Sequence, residues 1–221
     1  MDNKTLKKRR MMGYFIEATH KIIESEGIEN VTIRKVSNLA GYNSATLYNY
    51  FKNLNHLIFF ASLKYLMYYS FSLPSYLKNK VNSVDKFLGV WECFLYYSYN
   101  NPKIYEAIFF NEFSVDLNAT MREYYALYPE ELSSDFEDLI PMVTDGNIYS
   151  RNKFILYPCV EDGFINEEDM DEINEMILLI YQGMLSKVIS QDTTYTVHEA
   201  VKKTLNYIKR AMTSYLNKNY K

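Results

Sequence analysis

Residues 32–52, TIRKVSNLAGYNSATLYNYFK, constrain the fold more tightly than any other part of the chain. Thr32 is a natural N-cap for a short helix with Ile33, Val36, Leu39 and Ala40 on its inward face. Gly41 ends that helix in a tight turn, where a residue with a Cβ would resist the backbone conformation. Asn43 then caps a second short helix over 44–51, with Leu47 and Phe51 facing in. The pattern is a helix–turn–helix. Its second helix exposes Ser44, Thr46, Tyr48, Asn49 and Tyr50, which offer hydroxyls and an amide but no charge. Such side chains reach phosphates and base edges when a helix lies in the major groove.

The flanking sequence is helical throughout. Met12, Phe15, Ile16, Thr19, Ile22 and Ile23 recur at three-and-four spacing, which predicts a helix over 5–27 that stops at Gly27. A further helix starts after Asn53 and is expected to end by Pro74. Helices are then predicted at 83–99, 102–113, 117–127 and 130–142, with a mixed loop and helix segment over 143–165. Two strongly periodic stretches close the chain at 167–190 and 196–216. Seven Gly and five Pro are too few for a sandwich or barrel, which needs a turn every 8–12 residues. The expected class is all-α, with a three-helix helix–turn–helix head at 1–54 and a larger helical domain at 55–221.

Charge separates the two parts. Through residue 65 there are ten Lys/Arg against five Asp/Glu, a net of +5, so the remaining residues carry −8 of the total of −3. A basic head on an acidic body suits a polyanionic partner for the head alone. The run Lys7-Lys8-Arg9-Arg10 reads either as a solvated end or as an arm steering onto phosphate. The basic start is followed by no apolar run, so it does not read as a secretory leader, and no stretch approaches the ~20 apolar residues of a membrane span. The expected location is cytoplasmic, with no membrane partner. Cys93 and Cys159 make neither a disulfide framework nor a zinc site, and read as buried apolar residues. His20, His56 and His198 fall on separate helices without ligand spacing. No catalytic set or Gly-rich phosphate loop stands out, so no enzyme, metal or cofactor is expected.

Residues 14–60 resemble the DNA-binding head of the TetR family of bacterial transcription regulators. The likeness rests on Glu26-Gly27, the Thr32-capped second helix from Val31 to Val36, and the Ala40-Gly41 turn. Thr46-Leu47-Tyr48-Asn49-Tyr50-Phe51 and Leu57 complete it. Three positions depart from the family pattern: Tyr42 replaces a usual Val, Ala45 a usual Gly, and Leu54 a usual Lys that touches phosphate. Lys52 is placed to substitute in part for that Lys.

The resemblance implies a homodimer on a palindromic double-stranded DNA operator, since one short helix reads too few bases. By position, Thr32 and Arg34 would contact phosphate, Tyr48, Tyr50 and Lys52 would hold backbone, and Ser44, Ala45, Thr46 and Asn49 remain to read bases. The family dimerises through its last two helices, which here puts Ile173, Ile177, Ile180, Met184, Val201, Leu205, Ile208 and Met212 at the interface. A small-molecule effector is expected in the middle of the body, among Trp91, Phe94, Tyr97, Tyr105, Phe109, Phe113, Tyr125 and Tyr181. With Glu92, Glu106 and Glu112 nearby, an aromatic, amphipathic or cationic molecule would suit. The expected function is ligand-responsive, sequence-specific transcription control, usually repression. The alternative is an adaptor of the same type that answers a protein partner, for which a filled body with an exposed patch would speak.

Overall fold

In the computed structural model, which describes residues 3–110, 117–131, 138–192 and 194–217, the described residues form helices and turns. Helix α1 (Asn3–Glu26) buries Met12, Phe15, Ile16, Thr19, Ile22 and Ile23, the expected stripe. It ends at Gly27, whose φ of 91° is open to a residue without a Cβ. Helix α2 (Ile33–Ala40) follows, with Thr32 accepting a hydrogen bond from the Lys35 amide at 3.3 Å. Gly41, at φ 77°, closes it in the left-handed conformation, and the Tyr42 amide bonds back to the Ser37 carbonyl at 3.0 Å. Helix α3 (Ser44–Tyr48) is capped by Asn43, which accepts from the Thr46 amide at 2.8 Å. Helix α4 (Leu54–Leu77) is capped in the same way by Asn53.

Two expectations for the head are corrected. Leu39 is 54% exposed, because it stands ~110° around α2 from the buried pair Val36 and Ser37. Pro74 does not end α4, which runs on to Leu77. Proline removes one backbone donor, and here it does so in the last turn. The segment is already held by Tyr69, Ser70 and Leu73, all buried.

The body comprises α5 (Ser83–Asn100), α6 (Pro102–Phe109), α7 (Leu117–Leu127), α8 (Ile140–Thr144), α9 (Ile148–Glu161), α10 (Met170–Ser190) and α11 (Val197–Tyr215). The expected helix at 130–142 reduces to a 3₁₀ turn at Pro129–Glu131 and short α8, with 132–137 outside the described residues. Helix α5 packs against α4, α9 and α11, and α10 packs between α9 and α11. Helix α4 belongs to both halves: it packs on α1 at one end and on α5 at the other. One apolar cluster runs from Met12 to Met212. Within it, Phe15, Phe51, Phe60 and Tyr124 follow one another at centroid distances of 6.3, 5.6 and 6.2 Å, joining the helix–turn–helix core to α7.

The N-terminal basic run is partly tied to the body. Lys8 pairs with Glu123 at 2.7 Å, and Arg9 pairs with Glu130 while lying over the Tyr128 ring. Lys7 and Arg10 remain exposed.

His20 lies buried in α1, its ring 5.2 Å from that of Tyr65 and its Nδ1 3.4 Å from the Glu24 carboxylate. Its Nε2 has no hydrogen-bond partner. Burial and the charge of Lys64 hold its pKa below the ordinary value, against the opposing pull of Glu24 and Glu17. The unfolded chain therefore takes up this proton first. The stability contribution is present above the unfolded value of about 6.5 and is lost as pH falls through the lower folded value. Thermal melts by circular dichroism should show stability declining from pH 7 to 5, and His20→Phe should flatten that decline.

Candidate nucleic-acid interface and interior cavity

Apart from Leu39 on α2 and Ala45 on α3, the exposed side chains of α2 and α3 are polar or, like Tyr48, carry a hydroxyl, as expected at a nucleic-acid surface. On α3, Leu47 is fully buried and Phe51 just beyond it nearly so, while Ser44, Ala45, Tyr48 and Asn49 are exposed. Positions 44, 45, 48 and 49 share one helical stripe opposite Leu47. The helix ends at Tyr48 instead of 51, but Asn49 keeps right-handed helical angles (φ −72°, ψ −16°), so its side chain stays in that stripe. Thr46 is half-buried, and its hydroxyl donates to the Asn43 side chain at 2.9 Å. Part of its hydrogen-bonding capacity is thus spent on the cap. Tyr50 is half-buried, and Thr32, Arg34 and Lys52 are exposed.

Tyr42, the departure after the turn, packs against Tyr14 and Phe15 at 5.8 and 5.7 Å and leaves its edge in solvent. Lys35 is held by Glu26 at 2.5 Å and by the Asn30 carbonyl. One sequence signal extends further than the net charge of the first 65 residues suggests. Between Glu29 and Asp85 the chain contains no acid at all, so this surface faces no carboxylate of its own segment.

The expected dimer residues divide. Ile173, Ile177, Ile208 and Met212 are at most 1% exposed, Met184 and Val201 are buried, and Ile180 and Leu205 are half-buried. The first four are core of their own chain, because α10 and α11 turn those positions toward α5 and α9 and toward each other. They have no surface left for a second copy. The apolar surface that does remain on α10 is a stripe that includes the expected Ile180: Leu179, 61% exposed, with half-buried Met176 and Ile180 and open Gly183 at helical spacing. On α11, Tyr207 is exposed.

The expected effector residues are also mostly core. Phe94 meets Trp91, Tyr105, Phe109 and Tyr181 at centroid distances of 5.2–5.8 Å. The tyrosine hydroxyls are satisfied within the protein: Tyr181 with Ser98 at 2.7 Å, Tyr97 with Ser72 at 2.5 Å, and Tyr105 donating to the Tyr65 carbonyl at 3.3 Å. Tyr125 is buried on α7, and Phe113 lies outside the described residues. Burial pushes the Cys159 thiol up to about 11 and the Cys93 thiol further, so both stay protonated.

A cavity of about 20 Å³ sits beside this cluster, and of the expected residues only Trp91 and Phe94 line it. The others at its wall include Tyr69, Met142, Arg151 and Asn152, none of them singled out by sequence. Trp91 Nε1 donates to Asn152 at 2.8 Å, and Asn152 donates to Asn174 at 2.7 Å. The one ionised wall residue is Arg151, a cation. A like charge placed against it in a buried setting would be repelled. Glu106 is exposed, Glu92 lines an outer groove, and Glu112 lies outside the described residues.

Residues 15–59 match the family of bacterial regulatory proteins, tetR family. That span holds the second half of α1, all of α2 and α3, and the start of α4. Across its length the chain is similar in structure to RolR in complex with the ligand resorcinol, at a TM-score of 0.60 and 14% identity, covering 93% of this chain and 88% of that one. It is similar to a TetR transcription regulator from Haloarcula marismortui ATCC 43049, at a TM-score of 0.58 and 16% identity, covering 94% and 99%. PfmR from Thermus thermophilus, a TetR family transcriptional regulator, gives 0.51 and 15%, covering 90% and 97%. At such identities the likeness is one of fold. No curated protein matches the chain by sequence.

Proposed function

We propose that this chain, with its TetR-family head and fold, is a sequence-specific DNA-binding transcription regulator that acts as a homodimer, represses from a palindromic operator and answers a small molecule. The observation that carries the reading is the exposed, uncharged stripe Ser44, Ala45, Tyr48 and Asn49 set in an acid-free segment. In this reading Asn49, Ser44 and Ala45 meet base edges, while Thr32, Arg34, Tyr48, Tyr50 and Lys52 hold the phosphate backbone. The head comprises residues 1–54 and the sensing, dimerising body 55–221. No catalytic step is part of the proposal.

Helix α4 is the element through which the body would move the head. Phe60 packs in the aromatic chain of the head, and Tyr69, nine residues on and ~14 Å along the helix, lines the cavity. A ligand that displaces Tyr69 shifts the support of the head. Two heads whose spacing must match half-sites one helical turn apart tolerate such a shift poorly. The resorcinol in RolR supports a small aromatic effector for this fold. The alternative, an adaptor that answers a protein partner, gains from a cavity of about 20 Å³, which holds one water. Against it stands the polar chemistry of the cavity wall.

Dimerisation is assigned to the remaining apolar stripe, Met176, Leu179, Ile180 and Gly183 of α10 together with Tyr207 of α11. Selection from random DNA by the wild-type protein should return an inverted repeat. Leu179→Glu should run as a monomer in light scattering and bind the repeat about 100-fold more weakly. It should still melt cooperatively as a folded monomer, because the position is exposed within its own chain, at a melting temperature lowered by the lost association. A Leu179→Glu protein that stayed dimeric would place the interface elsewhere. Wild-type protein that selected no sequence at all would end the DNA-reading proposal.

A further inference from the structure

Arg151 is 4% exposed on α9. Its Nη1 donates to the carbonyls of Val143 at 2.9 Å and Asp145 at 3.2 Å, and its guanidinium lies 5.5 Å from the centre of the Phe109 ring. Its Nη2 has no hydrogen-bond partner. No ion pair joins it to a carboxylate among the described residues. A buried cation without an anion is strongly destabilising unless something supplies the missing charge. The other polar wall residue, Asn152, is already held between Trp91 and Asn174. Tyr69 adds a hydroxyl that meets Sδ of Met142 at 4.0 Å and lies beside the Arg151 guanidinium, whose charge favours the ionised phenol against the effect of burial. The cavity therefore offers a charged donor with spare capacity at Nη2, a tyrosine hydroxyl beside it, and aromatic walls.

We infer that this cavity takes a small aromatic carboxylate, with the carboxylate on Nη2 of Arg151 and the ring against Trp91, Phe94 and Met142. The planar guanidinium fork matches a carboxylate in geometry as well as charge. The inference rests on the reading of the chain as a ligand-responsive regulator and names the class of ligand. Val90 and Ile155 separate the cavity from a groove of about 340 Å³ that also borders Phe87, Phe154 and Pro158. Displacing those two side chains joins the volumes into one of the size ligand sites have, ~300 Å³ or more.

Trp91 is the chain's only tryptophan and stands on the cavity wall, so its emission reports occupancy. The full chain is titrated with sodium benzoate and sodium phenylacetate, and with benzyl alcohol and benzylamine as neutral and cationic counterparts. A saturable change with a carboxylate is expected, at an affinity at least about tenfold above that for either counterpart. Arg151→Met should lose that preference while still melting cooperatively, since an apolar side chain replaces an uncompensated charge. Arg151→Lys keeps the charge without the fork and should fall between, which decides the matter if the Met variant does not fold. Three results would overturn the inference: no response to either carboxylate at roughly 10 mM, an equal or stronger response to a counterpart, or unaltered carboxylate affinity in a folded Arg151→Met or Arg151→Lys protein. Occupancy is read apart from DNA binding. A carboxylate that binds at Trp91 without changing operator affinity would remove the ligand-responsive reading and leave the site in place.

Discussion

Operator affinity should fall by about a thousandfold between 50 and 200 mM salt, with log K dropping against log salt at a slope near −5. The estimate follows from the cations that the reading face carries. Arg34, Lys35 and Lys52 are exposed on or beside α2 and α3, and two heads present six such groups to one duplex once Lys35, which is on the reading face itself, exchanges its surface pair with Glu26 for phosphate. Each phosphate neutralised releases condensed counterion and adds ~0.9 to the slope. Thr32, Tyr48 and Tyr50 also reach phosphates in the proposed complex, but neutral hydroxyls release no counterion and leave the slope alone. Lys8 and Arg9 are engaged with Glu123 and Glu130, so the N-terminal run adds less than its composition suggests. Lys52→Ala should weaken binding to every sequence alike and bring the slope to about −4, because a phosphate contact carries no base information. Fluorescence anisotropy across a salt series measures both. A wild-type slope shallower than about −2 would mean that these cations do not meet phosphate.

The head was legible because its residues are fixed by local chemistry. Thr32, Asn43 and Asn53 each accept a hydrogen bond from an amide three residues on, as capping residues do. Gly41 takes the one backbone conformation that a side chain resists. Such signals act within a turn or two, so a single sequence carries them whole.

What escaped the sequence depends on which surfaces meet across the chain. Helices α10 and α11 are periodic enough to predict, yet periodicity cannot say whether a stripe faces its own core or a second copy. Ile173 and Ile208 are the stronger stripe and were spent on the chain's own core, leaving the weaker Leu179 stripe outside. The aromatic residues of the middle were too good at packing to leave a large cavity. Tyr181 and Tyr105 found partners in Ser98 and a carbonyl instead of a ligand. Arg151 was overlooked because charge ordinarily marks surface. Only the packing of α8 and α9 around it turns an unremarked residue into a buried cation.

Leu47→Ala should lower the melting temperature by about 5 to 20 °C, whereas Asn49→Ala, two residues away, should leave it within about 1 °C. Leu47 is fully buried among the residues that join α3 to α1 and α4, and its core is continuous with that of the body. Truncating it opens a cavity worth ~2–5 kcal/mol, and the loss is felt by the whole cooperative unit. Asn49 is exposed beyond the last residue of α3, where Ala is tolerated about as well. Its amide donates and accepts at once and so matches an adenine edge, a pair worth ~1–3 kcal/mol per half-site. Asn49→Ala should therefore keep its fold, its dimer and its salt slope, and lose preference at one base pair in each half of the inverted repeat. Circular dichroism melts and selection from random DNA, run on both variants, separate holding from reading. If Asn49→Ala selected the same repeat with undiminished preference at every position, the reading would belong to Ser44 or Ala45, which share its stripe. Thr46 is the weaker candidate, because its hydroxyl is engaged with Asn43.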